Sequence, residues 1–125
     1  MILNKLKHKI LAVGSHIMLK RLQHKLDREQ FILIGCHNPQ EATAILEQDN
    51  FDLVIIDNLI YEAEALCIAI SHIVCIPVTL LLQEKPANWR NLASAKVDGY
   101  LPDSGSSIEF TARLKAYLRP KSQVN

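Results

Sequence analysis

Short apolar runs alternate along the chain with longer segments in which apolar residues recur at the spacing of a helix. The apolar runs predict five strands, over residues 9–13, 31–36, 52–57 and 73–82, with a turn and a brief fifth strand over 97–101. The segments between them predict five helices, over about 16–30, 38–48, 60–70, 88–96 and 106–119. This alternation predicts an α/β fold: a three-layer, doubly wound, five-stranded parallel sheet in the order 2-1-3-4-5.

Polar residues at the predicted helix starts support these bounds. Ser15 can cap the first helix with its hydroxyl group. Asn38 is followed by a proline and, three residues on, by Glu41, which is a strong signal for the start of a helix. Ser106 and Glu109 form a second capping box before the last helix.

The composition is that of one ordinary globular domain. Its 125 residues are 49% hydrophobic and 22% charged, and we expect a core over about 8–119 with a polar tail over 120–125. A net charge of +1 gives no reason to expect nucleic acid or a membrane surface as a partner. The most apolar segment, 67–82, is shorter than the roughly 20 residues that span a bilayer. Since the three cysteines form no CxxC motif, we expect a cytoplasmic protein with reduced thiols.

The third strand ends on Asp57, at the edge of the sheet where α/β proteins collect ligands and chemistry. Other motifs are weak. The four glycines form no GxGxxG or GxxxxGK loop, and the five histidines have no metal-ligand spacing. No order of serine, histidine and aspartate indicates nucleophilic catalysis. We therefore expect no enzyme activity and no metal site, and Asp57 is the main chemical candidate.

Taken in order, four segments resemble the receiver domain of two-component response regulators: residues 10–13, 52–57, 77–78 and 98–101. The resemblance spans nearly the whole chain and implies a single flavodoxin-like receiver domain. It also implies that Asp57 is the phosphoacceptor position, served in the family by a histidine kinase. Family members hold Mg²⁺ with an acidic pair after strand one. A Ser or Thr after strand four and a lysine after strand five hold the phosphoryl oxygens.

The sequence departs from that family pattern at each supporting position. Gly14 and Ser15 stand in place of the acidic pair, Leu82 in place of the hydroxyl residue, and Asp103 in place of the lysine. Mg²⁺ held by one carboxylate and waters would bind weakly. A second carboxylate at position 103 predicts like-charge repulsion of a phosphoryl group. Tyr100 matches the switch aromatic of the family.

Two functional hypotheses follow. The first is a pseudo-receiver, which has no cofactor and signals through protein contacts without conventional aspartyl phosphorylation. The alternative is a phospho-accepting receiver in which Asp57 takes a phosphoryl group from a histidine kinase and binds Mg²⁺ weakly. Under both, the partner is a histidine kinase or another two-component protein.

Two surfaces are candidates for protein contacts. One is the basic side of the first helix, which is either a solvated face or a docking surface for an acidic partner. Its residues are Lys20, Arg21, His24, Lys25 and Arg28. The other is formed by the last helix and the fifth strand, where the family resemblance implies a possible homodimer.

Overall fold

The computed structural model describes residues 7–82, 97–103 and 106–118. The strands are β1 His8–Val13, β2 Phe31–Cys36, β3 Leu53–Asp57, β4 Val78–Leu82 and β5 Gly99–Pro102. The helices are α1 His16–Lys25, α2 Pro39–Gln48, α3 Ala63–Ser71 and α4 Ser107–Leu118. The predicted loop over 83–87, the predicted helix over 88–96 and the polar tail lie outside the described residues.

All strand pairings are parallel, and the strand order is β2-β1-β3-β4-β5. The predicted fold class and order are therefore confirmed. Strand β3 lies at the centre and is buried at every position, as its continuous apolar run predicts. Helices α1 and α4 pack against one face of the sheet, and α2 and α3 pack against the other. No helix in the described ranges is long and apolar enough to cross a membrane.

The predicted helix caps are present. The Ser15 hydroxyl accepts a hydrogen bond from the backbone N–H of Met18 at 3.1 Å. The Asn38 side chain accepts from the N–H of Glu41 at 2.9 Å, and the Ser106 hydroxyl accepts from the N–H of Glu109 at 3.1 Å. These bonds satisfy N–H groups that have no partner within their own helix.

Helix α1 is shorter than predicted, since it ends at Lys25 and not near residue 30. The Asp27 carboxylate accepts from the N–H of Glu29 at 2.9 Å, and the Asp27 carbonyl accepts from the N–H of Phe31 at 3.0 Å. Aspartate offers the backbone an alternative to helix in this way. The chain therefore turns after Leu26 and enters β2.

Three other bounds also differ from the prediction. Strand β4 begins at Val78 and not at residue 73, because the N–H groups of Ile73 and Val74 still bond to Ile70 at the end of α3. Helix α3 begins at Ala63, three residues later than predicted, after a tight turn. Strand β5 runs from Gly99 to Pro102 and thus ends one residue after the turn and strand predicted over 97–101.

Candidate functional site

Asp57 ends β3 at the carboxyl edge of the sheet, as the sequence predicts. Its side chain is buried, with the residue 2% exposed. The carboxylate oxygen Oδ1 accepts a hydrogen bond from the backbone N–H of Leu59 at 2.9 Å. A buried polar group needs such partners to offset the loss of water.

Gly14, which occupies the first position of the family's acidic pair, lies directly against Asp57. A Cβ atom on Gly14 would be 3.0 Å from the Asp57 Cβ and 3.3 Å from its Oδ2. The same Cβ would be only 2.2 Å from the terminal methyl carbon of Met18. Met18 is itself 1% exposed. The Met18 methyl group therefore fills the space in which a side chain at position 14 would begin.

The neighbouring polar groups have structural roles. The Ser15 hydroxyl caps α1 through Met18, so the second position of the acidic pair holds the start of the helix. The ring nitrogen Nδ1 of His37 is 3.0 Å from the Gly14 carbonyl oxygen. Because a carbonyl only accepts, this contact places the His37 proton on Nδ1. The loop after β1 is thus held by α1 on one side and by the end of β2 on the other.

Asp103, at the position of the family's lysine, is bound to α1. Its oxygen Oδ1 lies 2.9 Å from the Lys25 ammonium nitrogen, and Oδ2 lies 3.2 Å from Nη1 of Arg21. The Lys25 ammonium group also donates to the Asp103 backbone carbonyl and lies 5.0 Å from the centre of the Phe110 ring. The Asp103 side chain is 3% exposed. The second carboxylate predicted at position 103 is thus present next to two cations of α1, Arg21 and Lys25.

The same contacts correct the predicted basic face of α1. Lys20 and His24 are exposed, as is Arg28, although Arg28 lies beyond the end of the helix. Lys25 is only 15% exposed at its side chain, and half-exposed Arg21 is already paired with Asp103. A free surface made of all five cations does not exist.

The hydroxyl group missing at the end of β4 is found earlier in the same strand. Leu82 is the last residue of β4, and Thr79 is fully buried. The Thr79 hydroxyl donates to the backbone carbonyl of Val54 at 3.0 Å. It therefore binds β3 within the sheet and serves as a structural group.

Tyr100 lies in β5 with its ring partly buried against the core that α2 and α3 cover. Burial is the main cause that raises the pKa of Tyr100, and the nearby Cys67 and Glu64 raise it further. Its backbone N–H donates to the hydroxyl oxygen of Tyr117 at 3.2 Å, and its carbonyl lies 3.3 Å from the same hydroxyl. The switch-aromatic position is thus bonded to α4 through its main chain.

The residues at this edge do not fit the Mg²⁺ that the receiver fold implies. Mg²⁺ requires oxygen ligands in near-octahedral geometry and is usually held by carboxylates and phosphate oxygens. The loop after β1 offers a glycine covered by a methyl group and a serine that caps a helix. Among the described residues, no three His, Cys, Asp or Glu side chains are grouped so that they could hold a metal ion.

Sequence reasoning identified Asp57 and its altered neighbours but missed two contacts. It did not show that the Met18 methyl group covers Gly14. It also placed Arg21 and Lys25 on a face that was either solvated or a docking surface, whereas they bind Asp103. One signal was present: the two cations are four residues apart, on one side of a helix, and the lysine expected after β5 is an aspartate.

The chain is similar to known proteins, although no family model matches it. The chain is 29% identical to the transcriptional regulatory protein ResD of Bacillus subtilis (strain 168) over 121 residues, which are 94% of this chain and 50% of ResD. It thus spans about half the length of this curated relative.

Two solved structures illustrate the similarity of fold. One is the signal receiver domain of a signal transduction histidine kinase from Syntrophus aciditrophicus, with a TM-score of 0.78 and 23% identity, covering 94% of this chain and 95% of that one. The other is the chemotaxis response regulator CheY4 of Vibrio cholerae, with a TM-score of 0.74 and 21% identity, covering 90% of this chain and 100% of that one. By its fold, by Asp57 at the end of β3 and by its similarity to ResD, the chain resembles the receiver domains of response regulators.

Proposed function

We propose that this receiver domain signals through protein contacts and does not undergo conventional Mg²⁺-dependent phosphorylation at Asp57. The observation that carries the proposal is the Met18 methyl group, which occupies the space beside Gly14 where a metal-binding side chain would begin. An apolar methyl group at that place supplies no ligand and excludes water that a metal would need. Asp57 is then a buried structural carboxylate at the end of β3.

The charges around the site support the same proposal. Transfer of a phosphoryl group to a carboxylate depends on positive charge placed beside the phosphoryl oxygens. At position 103 the chain has a carboxylate whose two oxygens face Arg21 and Lys25. Because the Asp103 carboxylate pairs with both cations, it largely neutralises their positive charge.

A protein partner is favoured by apolar side chains exposed near the same edge of the sheet. Ile17 is 70% exposed, Leu59 69% and Tyr61 85%. Tyr61 lines an open groove of about 860 Å³ that also includes Gly14 and His37. Exposed apolar groups beside a groove are typical of interaction sites. A histidine kinase or another two-component protein is the partner class we propose for this surface.

The experiment is treatment with a small phosphodonor and millimolar Mg²⁺, followed by intact-mass measurement. We expect no adduct on the wild-type chain, while a conventional receiver treated in parallel gains about 80 Da, the mass of a phosphoryl group. The matched control is Asp57→Asn, which removes the acceptor and keeps the size of the side chain. An adduct on the wild-type chain that is absent from Asp57→Asn would establish the alternative, a phospho-accepting receiver.

A further inference from the structure

The two outer strands of the sheet differ in how their free edges are protected. At the edge of β5, the Tyr117 hydroxyl of α4 bonds to the backbone N–H and carbonyl of Tyr100. At the opposite edge, β2 pairs only with β1 among the described residues. Sheet edges carry unpaired N–H and carbonyl groups, and proteins usually protect them with charges, prolines or a covering element. The sequence of β2, FILIGC, contains neither a charge nor a proline.

The hydrogen bonds to β1 show which backbone groups of β2 face outward. The N–H of His8 donates to the Gln30 carbonyl, and the N–H of Gly14 donates to the Cys36 carbonyl, both at 3.0 Å. In a parallel pair, alternate residues turn both backbone groups toward the neighbouring strand. The even-numbered residues of β2 therefore face β1. The odd-numbered residues, Phe31, Leu33 and Gly35, turn their N–H and carbonyl groups to the outer edge, where the Phe31 N–H already donates to the Asp27 carbonyl at 3.0 Å.

We propose that β2 pairs with β2 of a second copy of this chain, antiparallel, to form one continuous ten-stranded sheet. A second copy is the occupant because the edge is complementary to itself. A two-fold axis perpendicular to the sheet brings two such edges together in antiparallel orientation and keeps each face of the sheet on its own side. The pairing does not depend on the chemistry at Asp57.

The outward groups favour a register centred on Leu33. With the axis there, the two copies of Leu33 exchange two hydrogen bonds, and the Phe31 carbonyl accepts one from the N–H of Gly35 of the second copy. The symmetric contact, between Gly35 of the first copy and Phe31 of the second, adds as many hydrogen bonds again. Centring the axis on Ile34 would instead place the groups that already bond to β1 at the middle of the interface.

Side chains agree with this register. Ile32 is 40% exposed, which leaves a large apolar group at the edge without cover. It comes directly opposite Ile34 of the second copy, in the closely spaced type of antiparallel pair.

The first test compares two substitutions of equally exposed isoleucines by sedimentation velocity over a range of concentrations. Ile32→Lys places a charge on each side of the axis, opposite Ile34 of the second copy, and we expect the dissociation constant of the dimer to rise at least about tenfold. Ile73→Lys, at a residue 41% exposed beside the start of β4, is the matched control and should leave the constant within about twofold. A wild-type chain that stays monomeric at millimolar concentration overturns the proposal, as does equal weakening by both substitutions.

The second test checks the register with disulfides. In a Cys75→Ser background, which removes the exposed thiol, Ile32→Cys and Ile34→Cys are made as separate chains. Burial raises the pKa of Cys36 to about 11 and that of Cys67 to about 12, so neither competes near neutral pH. Oxidation of the mixed chains should give a cross-linked dimer because opposed residues lie within disulfide distance. Either chain oxidised alone should give at least about tenfold less cross-linked dimer.

The pattern of cross-links decides between registers. Abundant cross-linking of Ile34→Cys alone would place the axis at Ile34 and contradict the register centred on Leu33. No cross-linking in the mixture, with both variants folded by circular dichroism, would contradict pairing of the β2 edges altogether.

Discussion

Two buried carboxylates lie at the carboxyl edge of the sheet, one at the end of β3 and one after β5, and they are held in different ways. Asp57, at the end of β3, accepts from the backbone N–H of Leu59 and lies against Gly14, which is covered by the Met18 methyl group. Asp103, just after β5, faces the side chains of Arg21 and Lys25. In a conventional receiver, the acid at the end of strand three attracts the cations. In this chain two cations of α1 pair with the acid after β5.

The comparison shows that a buried acid can be paired with cations at this edge even though the positions of the acid and the cations differ from those in a conventional receiver. A buried carboxylate needs counter-charge or hydrogen-bond donors, wherever it stands in the fold. With an aspartate in place of the lysine after β5, a carboxylate that needs counter-charge lies at position 103. Helix α1 supplies that charge from two cations one turn apart. The ion pairs then join α1 to the end of β5, and the edge of the sheet is stabilised without a metal ligand at Gly14.

The largest expected effect comes from Asp103→Ala. The substitution removes the carboxylate from Lys25, which is largely buried and keeps its contacts with a backbone carbonyl and the Phe110 ring. We expect the free energy of unfolding to fall by about 3 kcal/mol, as when one partner of a buried ion pair is removed. Urea denaturation measures the loss. If stability changes by less than about 1 kcal/mol, the ion pairs resemble ordinary surface pairs and the contrast with Asp57 disappears.

A second substitution tests whether the Met18 methyl group is what keeps a metal from the site. Gly14→Asp combined with Ser15→Asp restores an acidic pair, and aspartate can still cap α1. With Met18 present, we expect a loss of stability of about 2 kcal/mol from overpacking and weak Mg²⁺ binding. With Met18→Ala added, calorimetric titration should show Mg²⁺ binding at least about tenfold tighter. Equal Mg²⁺ affinity with and without Met18→Ala would mean that missing charge, and not missing space, keeps the metal from the wild-type site.

The same substitution made at each of the two acids compares them directly. Asp57→Asn keeps an oxygen that can accept from the N–H of Leu59, so the free energy of unfolding should change by about 1 kcal/mol or less. Asp103→Asn removes the charge that faces Arg21 and Lys25, and its cost should be clearly larger. Denaturation curves of the pair give the comparison. Equal losses would mean that Asp57 also depends on its charge.

The smallest expected effect concerns an exposed ion pair that serves as a reference for Asp103. A hydrogen bond from Lys9 lowers the pKa of the Asp49 carboxyl below its ordinary value of 3.8. This stabilisation is complete above that pH and is lost as the pH falls through the lower folded-state value. Asp49→Asn should therefore lose slightly less stability than wild type between pH 5 and pH 2, in thermal melts at matched ionic strength. A larger loss of stability in Asp49→Asn than in wild type would contradict the lowered pKa of Asp49.

The sequence was sufficient for the fold because the signals that define it are local. The apolar run of β3 and the caps at Ser15 and Asn38 depend on near neighbours along the chain, and the structure has them as predicted. Bounds were less predictable where a side chain competes with the helix, as Asp27 does at the end of α1.

The candidate site was only half predictable for the opposite reason. Position along the chain was enough to find Asp57 and the residues that replace its usual partners. The contact between Lys25 and Asp103 joins residues 78 positions apart, and its geometry depends on how α1 lies across the sheet. The position of the Met18 methyl group depends on the rotamer of its side chain. Neither can be obtained from spacing alone.

The bond between Tyr117 and the main chain of Tyr100 has a mechanical consequence. The Tyr100 ring packs in the core on the side of α2 and α3, while Tyr117 packs with α1 and α4. A side chain at Gly99 would collide with the Tyr117 hydroxyl, since a Cβ there would lie 2.0 Å from it. One residue of β5 thus connects both layers of helices through the sheet. The main chain of Tyr100 is therefore coupled to the last turn of α4, on the opposite face of the sheet from its own ring.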